Sequence, residues 1–480
     1  MSSVATPRDA ALGGEAGAPV AAGRRRRSTE LAMLVFAVAL VAFAYANVGF
    51  GLKGRVPPGM AEYMLAFIGL LAAAHVAVRK LAPWADPLLL PLAAALNGLG
   101  IVMIYRLQEV GRNGNPGSMS VPLSASATAT QIMYTGVGIA CFVAVLAIIR
   151  EPRVLQRYTY TLGVIGIVLI AMPALLPASI SEVQGAKIQI SLGGFTIQPE
   201  EFAKLALAAA FAGYLVVKRD VLSLAGKRVL GIDLPRARDL GPILVMWAVS
   251  LLLLIFEHDI GTSALFLGLF VVTLYIATQR TSWLIIGFGL FILGAFIAEK
   301  LFAHVGERFQ IWLHPFTGSN PFGNAYQLVQ GLYGMASGGI LGKGLGGGQP
   351  WYTPLVQSDF IISAFGEELG LTGLMAILLL YGLIVQRGLR AGVMVRDPFS
   401  KVLAGGLSFM LALQVFVIVG GVTRLIPLTG ITTPFLSEGG SSLVASWMLI
   451  ALLVRVSDAA RRPPPQSIQD EGMTQVVNLP

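Results

Sequence analysis

Apolar residues fall in long unbroken runs along this chain rather than at helical or strand periodicity. A helix needs roughly 17 to 25 such residues to cross about 30 Å of hydrocarbon. Runs of that length lie near residues 30–52, 61–78, 86–105, 131–149, 158–177, 200–217, 240–256, 261–278, 282–302, 359–385, 402–422 and 440–456. They predict an all-α polytopic membrane protein with about twelve transmembrane helices. Residues 1–28 and 457–480 lack apolar runs and read as disordered cytoplasmic tails.

Composition agrees with this pattern: 55% of the 480 residues are hydrophobic, 12% are charged, and the mean hydropathy is +0.74. The single cysteine, Cys141, rules out an internal disulfide. With a cytoplasmic amino terminus, the inner segments collect most of the 34 basic residues, including Arg24 to Arg27, Arg79, Lys80, Lys218 to Arg238, Arg387 to Lys401 and Arg455 to Arg462. The positive-inside rule then sets both termini in the cytoplasm. The +9 net charge becomes a mark of topology and not a nucleic-acid footprint. Three segments are left outside: Leu107 to Thr130, Ala178 to Pro199, and a large loop from Ala303 to Gln357 between the ninth and tenth helices.

Several polar residues break the apolar pattern. "FEHDIGTS" (Phe256 to Ser263) places Glu257, His258 and Asp259 between two spans, too few residues to lift their side chains clear of the membrane. Asp259 either caps the next helix or sits in a boundary cavity. In "TIQPEEFAKLAL", Pro199 suits a helix first turn; Glu201 and Lys204 share one face and can pair, Lys204 about 6 Å below the helix start. In "SDFIISAFGEELG", Glu367 and Glu368 lie roughly 12 Å into an apolar helix. Adjacent positions diverge by about 100°, so only one is expected at a shared site. The loop "YGMASGGILGKGLGGG" fails the P-loop test because Ser337 and Gly344 stand where glycine and Ser or Thr are required. It is expected either as a flexible loop or as backbone amides facing a pyrophosphate. His258, His304 and His314 have no metal-ligand spacing.

The run "GGVTRLIPLTGITTPFLSEGGSSL" (Gly420 to Leu443) resembles the terminal signature of the SEDS family (shape, elongation, division and sporulation), which holds the RodA, FtsW and SpoVE proteins. "GAKIQISLGGFTIQPEEFAK", "HDIGTS", "YQLVQGLYGMASGGILGKGLG" and "SDFIISAFGEELG" agree with the family in order. The resemblance implies a ten-helix core over residues 86–456. The two spans within 29–85 look like the actinobacterial RodA type. It further implies a peptidoglycan glycosyltransferase that polymerises lipid II outside the membrane into a β-1,4 glycan for cell elongation and shape. Its expected partners are a class B penicillin-binding protein, the undecaprenyl-pyrophosphate-linked glycan and other elongation or division proteins. Asp259 matches the family's catalytic aspartate, fit to act as general base. Glu201 and Lys204 match its functional Glu and Lys, and Gln327, Lys343 and Glu368 fall in matching motifs. Arg106, Lys187, Lys204 and Lys343 are outward-side cations for a leaving pyrophosphate, with a divalent cation, Mg or Mn, as another route. Two residues depart from the family pattern: Glu438 stands where tyrosine or a small residue is usual, and Glu200 replaces a common serine. A lipid II flippase and a non-catalytic scaffold are the alternatives.

Overall fold

The computed structural model describes residues 18–112, 126–181, 189–192, 195–222, 225–229, 232–235, 245, 248–249 and 260–463. Its helices are α1 (Ala18–Lys53), α2 (Met60–Leu81), α3 (Leu89–Arg112), α4 (Ala127–Ile148), α5 (Thr159–Leu175), the single turn α6 (Ala178–Ser181), α7 (Pro199–Leu222), α8 (Ile260–Thr278), α9 (Thr281–Leu301), α10 (Ala303–Leu313), α11 (Tyr326–Gly338), α12 (Ile361–Met394), α13 (Pro398–Val422) and α14 (Gly440–Arg461). Among the described residues ten helices are long and apolar enough to span a bilayer, so this is a multi-pass membrane protein. Of the twelve expected spans, 200–217 is the 24-residue α7, which carries Glu200, Glu201 and Lys204 at one end and Lys218, Arg219 and Asp220 at the other. Of the run 240–256, only 245 and 248–249 are among the described residues.

Four features differ from the sequence expectation. Two antiparallel hairpins join an otherwise helical chain: β1 (Ile190–Leu192) with β2 (Phe195–Ile197), and β3 (Ala225–Val229) with β4 (Ile232–Pro235). Strands this short carry no alternation that stands out beside membrane spans. The segment 303–357, expected outside, is not simply a loop, because it contains α10, α11 and two 3₁₀ turns. Helix α1 starts at Ala18, ahead of its apolar run, and α14 continues to Arg461. Charge pairing accounts for the last and holds α1 from Arg27 onward. At the bundle end where α1 begins and α14 ends, Asp86 is paired with Arg461 and with Arg387 at 3.8 Å. There Asp458 accepts from Trp84 N at 2.8 Å and pairs with Arg462 at 2.9 Å. Glu30 pairs with Arg27 and, at 2.7 Å, with His75. Polar residues that a tail would expose are thus used to lock helix ends together.

Helix α3, 94% buried over its apolar window, and α14, 83%, form the inside of the bundle, whereas α5 at 17% and α9 at 28% face lipid. Helices α1 and α2 pack on α3 and α4, and α5 packs on α7. Midway, Trp447 of α14 donates to Asn97 Oδ1 (3.0 Å) and Asn97 donates to Thr135 Oγ1 (3.2 Å), so the buried polar groups of three helices satisfy one another.

Candidate functional site

Between α13 and α14 the signature segment 423–439 runs without regular structure against the middle of α3. The backbone of Phe435 and Leu436 lies so close to Gly100 of α3 that any Cβ there would overlap it. Non-helical backbone at membrane depth must have its polar groups satisfied by protein or cavity water, and side chains from the surrounding helices do this here. Gln414 Nε2 donates to Thr432 O (3.0 Å), Gln131 Nε2 to Ser437 O (3.2 Å), Tyr381 Oη to Pro434 O, and Arg308 Nη1 to Leu428 O (3.1 Å). Phe435 takes a positive φ of 66°, costly for a residue with a side chain. Its ring is edge-on to Trp447 at 5.6 Å, and that packing holds it.

Helix α7 brings its charged first turn to this segment. Lys204 Nζ pairs with Glu201 at 2.8 Å and donates to Gln414 Oε1 at 3.0 Å, which links the pair to Thr432 through one amide. Glu200 Oε2 accepts from Thr262 Oγ1 of α8 at 3.2 Å, and Gln198 N donates to Ser441 Oγ of α14 at 3.0 Å. Glu200 therefore tethers α7 to Thr262 of the "HDIGTS" motif. Asp259 of that motif lies outside the described residues, as do Glu257, His258 and Lys187.

Polar atoms around the signature turn are left without partners. Gln357 Oε1, Thr432 Oγ1, Thr433 Oγ1 and Ser442 Oγ are buried and make no hydrogen bond. An unsatisfied buried polar group costs about 1–3 kcal/mol, so such a group needs a reason to persist. Glu438 sits in the same turn. Its N–H donates to Gln357 O at 2.8 Å, and burial pushes its carboxyl up to about 7. Desolvation also raises Asp359, opposed by the Ser358 hydroxyl donating to it at 2.8 Å and, from further off, by the Arg308 charge.

The glycine-rich loop forms a second, differently built constellation. Helix α12 breaks at Gly370 (φ 70°, ψ −172°), freeing backbone groups on either side. The loop pairs with them: Lys343 N donates to Glu367 O (3.1 Å), Gly344 N to Glu368 O (2.9 Å), Leu371 N to Gly339 O (3.0 Å) and Thr372 N to Ile340 O (3.1 Å). A Cβ at Gly342 or Gly370 would strike the other segment's backbone, and both residues have positive φ. The glycines therefore permit docking onto the broken helix, and the loop is neither a flexible connection nor a set of free amides. Both acids of "EEL" hold it, which corrects the expectation that only one could. The loop wraps around the helix, so side chains about 100° apart meet it at different points. Glu367 pairs with Lys343 (2.8 Å) and accepts from Gln349 N (2.9 Å); Glu368 pairs with Arg106 Nε (2.8 Å) and accepts from Gly346 N (3.0 Å). Arg106 also donates to Gly348 O at 2.9 Å, leaving one Nη without a partner. Gln327 Nε2 donates to Pro354 O at 3.0 Å.

Beside the signature segment, α8, α9, α10 and α13 line an apolar cavity of about 770 Å³ that is partly open. Ser263 and Thr429 are polar residues of its lining; Leu267, Phe288, Phe409 and Phe416 are among the apolar ones. Arg308 lies on α10 between two lining residues, Val305 and Phe309, with its guanidinium near Gly430. Sequence reading missed Arg308, because one arginine in the segment 303–357 carries no signal until α10 is seen to line the cavity through Val305, Phe309 and Trp312. Among the described residues no three acids, imidazoles or thiols converge as a metal-ligand set.

The chain is 49% identical over 442 residues to peptidoglycan glycosyltransferase RodA of Mycobacterium tuberculosis strain H37Rv, covering 91% of this chain and 92% of that protein. It is 48% identical over 438 residues to the protein of the same name from Mycobacterium leprae, with the same coverage. It is 31% identical over 379 residues to stage V sporulation protein E of Bacillus subtilis, covering 78% and 98%. The fold matches a chain of a solved structure described as "Structural coordination of polymerization and crosslinking by a peptidoglycan synthase complex", at TM-score 0.51 and 23% identity over 84% of this chain and 98% of that one. The FtsW, RodA and SpoVE profile, described as "Cell cycle protein", matches residues 87–462, and this chain belongs to that family.

Proposed function

We propose that this protein is a peptidoglycan glycosyltransferase that polymerises lipid II into β-1,4 glycan on the outer face of the cytoplasmic membrane, for cell-wall elongation and shape. The observation that carries this reading is the apolar cavity whose lining includes Ser263, four residues after Asp259 in sequence. A polyprenyl chain needs a long apolar groove, and its sugar needs a polar centre where the groove ends. In this reading Asp259 takes the proton of the attacking sugar hydroxyl. The hydroxyl oxygen forms its bond to the anomeric carbon as the bond to the lipid pyrophosphate breaks, and the centre inverts. Arg308, on α10 beside the lining residues Val305 and Phe309, is the cation assigned here to the leaving pyrophosphate. Lys204, held by Glu201 and Gln414, orients the polar wall, with Lys187 a further outer cation. Arg106, Lys343 and Glu368 serve by fixing the glycine-rich loop, and Gln327 by fixing the segment that leads into α12. A divalent cation taking part would be held by Asp259 in this reading and would supply charge for the pyrophosphate.

The proposed topology has both termini in the cytoplasm, which suits a substrate delivered by a separate flippase. A class B penicillin-binding protein is the proposed partner, crosslinking the glycan as it leaves. Reconstitution of the purified protein with lipid II, alone and with the transpeptidase, tests the reading. Glycan polymer is expected; translocated lipid II without polymer would favour a flippase. For topology, cysteines replacing Ser337 and Ser223, with Cys141 removed, should be labelled and spared respectively by an impermeant thiol reagent in whole cells. The reverse would overturn the outward-facing site.

A further inference from the structure

The turn that contains Glu438 holds polar groups that the proposed reaction does not use. Glu438 has no hydrogen bond or ion pair through its carboxylate, although its backbone N–H is fixed on Gln357 O at 2.8 Å. The turn is rigid: Leu436 N and Ser437 N both donate to Thr433 O (3.2 and 3.1 Å), Thr433 N donates to Ser437 Oγ (2.9 Å), and Ser437 Oγ donates to Ser358 O. Around it stand Gln357, Thr433 and Ser442, at 4%, 1% and 3% exposure, each with an unpartnered side-chain oxygen. Thr432, also unpartnered, and Ser442 flank Gly439, where a Cβ would come within 4.0 and 3.8 Å of their side chains. Four elements converge here: α4 through Gln131, α7 through Gln198, α13 through Gln414, and the segment leading into α12 through Gln357.

Three neutral hydroxyls, one amide oxygen and one acid, without a paired cation, make a set rich in acceptors that can also donate. Its complement is a ligand bearing several hydroxyl and N–H groups and no net negative charge. A pyrophosphate finds no paired cation in this set, and a lipid chain is disfavoured by the polar atoms. We propose that Glu438, with Gln357, Thr432, Thr433 and Ser442, forms a subsite for an N-acetylated sugar ring of the glycan substrate, next to the ring that reacts. The subsite rests on the polymerase reading. It adds a specificity determinant at a position where the usual tyrosine or small residue would bind a sugar differently.

The test uses the full-length protein in detergent or liposomes, with lipid II as substrate. Glu438→Leu and Thr433→Val should each raise KM for lipid II about five- to tenfold with kcat within twofold. Glu438→Gln, which keeps hydrogen-bonding capacity, should stay within threefold in KM. Thermal unfolding of each variant identifies any that fail to fold; for those, binding of the lipid-free disaccharide to wild type, measured by isothermal titration, replaces the kinetic arm, and no binding overturns the subsite. Competition separates sugar from peptide. Inhibition by the lipid-free disaccharide that weakens in Glu438→Leu supports the subsite. Inhibition by the free stem peptide alone, weakened by the same change, overturns it in favour of a peptide amine. Unchanged KM in folded Glu438→Leu and Thr433→Val while wild type polymerises refutes the subsite and leaves the polymerase standing; absence of polymer from wild type refutes the polymerase reading itself.

Discussion

The glycine-rich loop and the signature turn are both irregular segments held among buried charges, yet they are finished differently. In the loop, Lys343 meets Glu367, Arg106 meets Glu368, and the amides of Lys343, Gly344, Gly346 and Gln349 all have acceptors. In the turn, Gln357, Thr432, Thr433 and Ser442 keep unpartnered oxygens, and Phe435 holds a strained backbone. Similar residue types thus serve two ends. Where acids and bases pair, they weld the chain to itself; where polar groups are preorganised but unpaired, the fold carries a cost that a ligand can repay.

The largest expected effect tests the open region. Asp259→Asn should lower the rate of lipid II polymerisation by about 10²- to 10⁴-fold, the usual contribution of a general base, with thermal stability unchanged. Wild-type turnover would remove Asp259 from the chemistry.

The closed region should answer in stability instead. Glu368→Ala leaves the Arg106 charge buried and uncompensated, and should cost about 3–5 kcal/mol in thermal unfolding of the detergent-solubilised protein. Replacing both partners, Arg106→Met with Glu368→Leu, should cost less than either single change. A loss below about 1 kcal/mol for Glu368→Ala would mean that the loop is not held by this pair.

Glu201 and Lys204 lie between these extremes, being paired yet joined to the turn through Gln414. A double-mutant cycle of Glu201→Gln and Lys204→Met should give a coupling of about 0.5–3 kcal/mol. Additive single losses would show that the two act separately.

The smallest effect concerns Glu438. Burial holds its carboxyl at about 7 against an ordinary 4.5. The folded state thus binds this proton more tightly than the unfolded one, and the associated stability is full below about pH 4.5 and lost as pH rises through 7. Glu438→Gln should therefore be neutral at pH 4.5 and stabilising by about 1 kcal/mol at pH 8, a figure reduced for the side chain's partial exposure. Equal melting shifts at both pH values would show the carboxyl to be well solvated.

Most of the membrane architecture was legible in the sequence, because an apolar run long enough to span hydrocarbon has few other stable places to go. Ten of the twelve expected spans appear as apolar helices, and α7 fills the eleventh position despite its charges. Residue types also marked the polar positions: an acid inside an apolar run is costly wherever the chain places it, so Glu201, Lys204, Glu367 and Glu368 stood out without any structure. Their partners did not. That Glu368 meets Arg106, 262 positions away in sequence, and that Lys204 reaches Thr432 through Gln414, depends on which helices pack side by side. Hydrophobicity specifies that a helix is buried in the membrane but not beside which neighbour it lies. The same holds for the docked glycine loop, the break at Gly370 and the 770 Å³ cavity. Each arises from close approach between segments distant in sequence, and only the tertiary structure decided them.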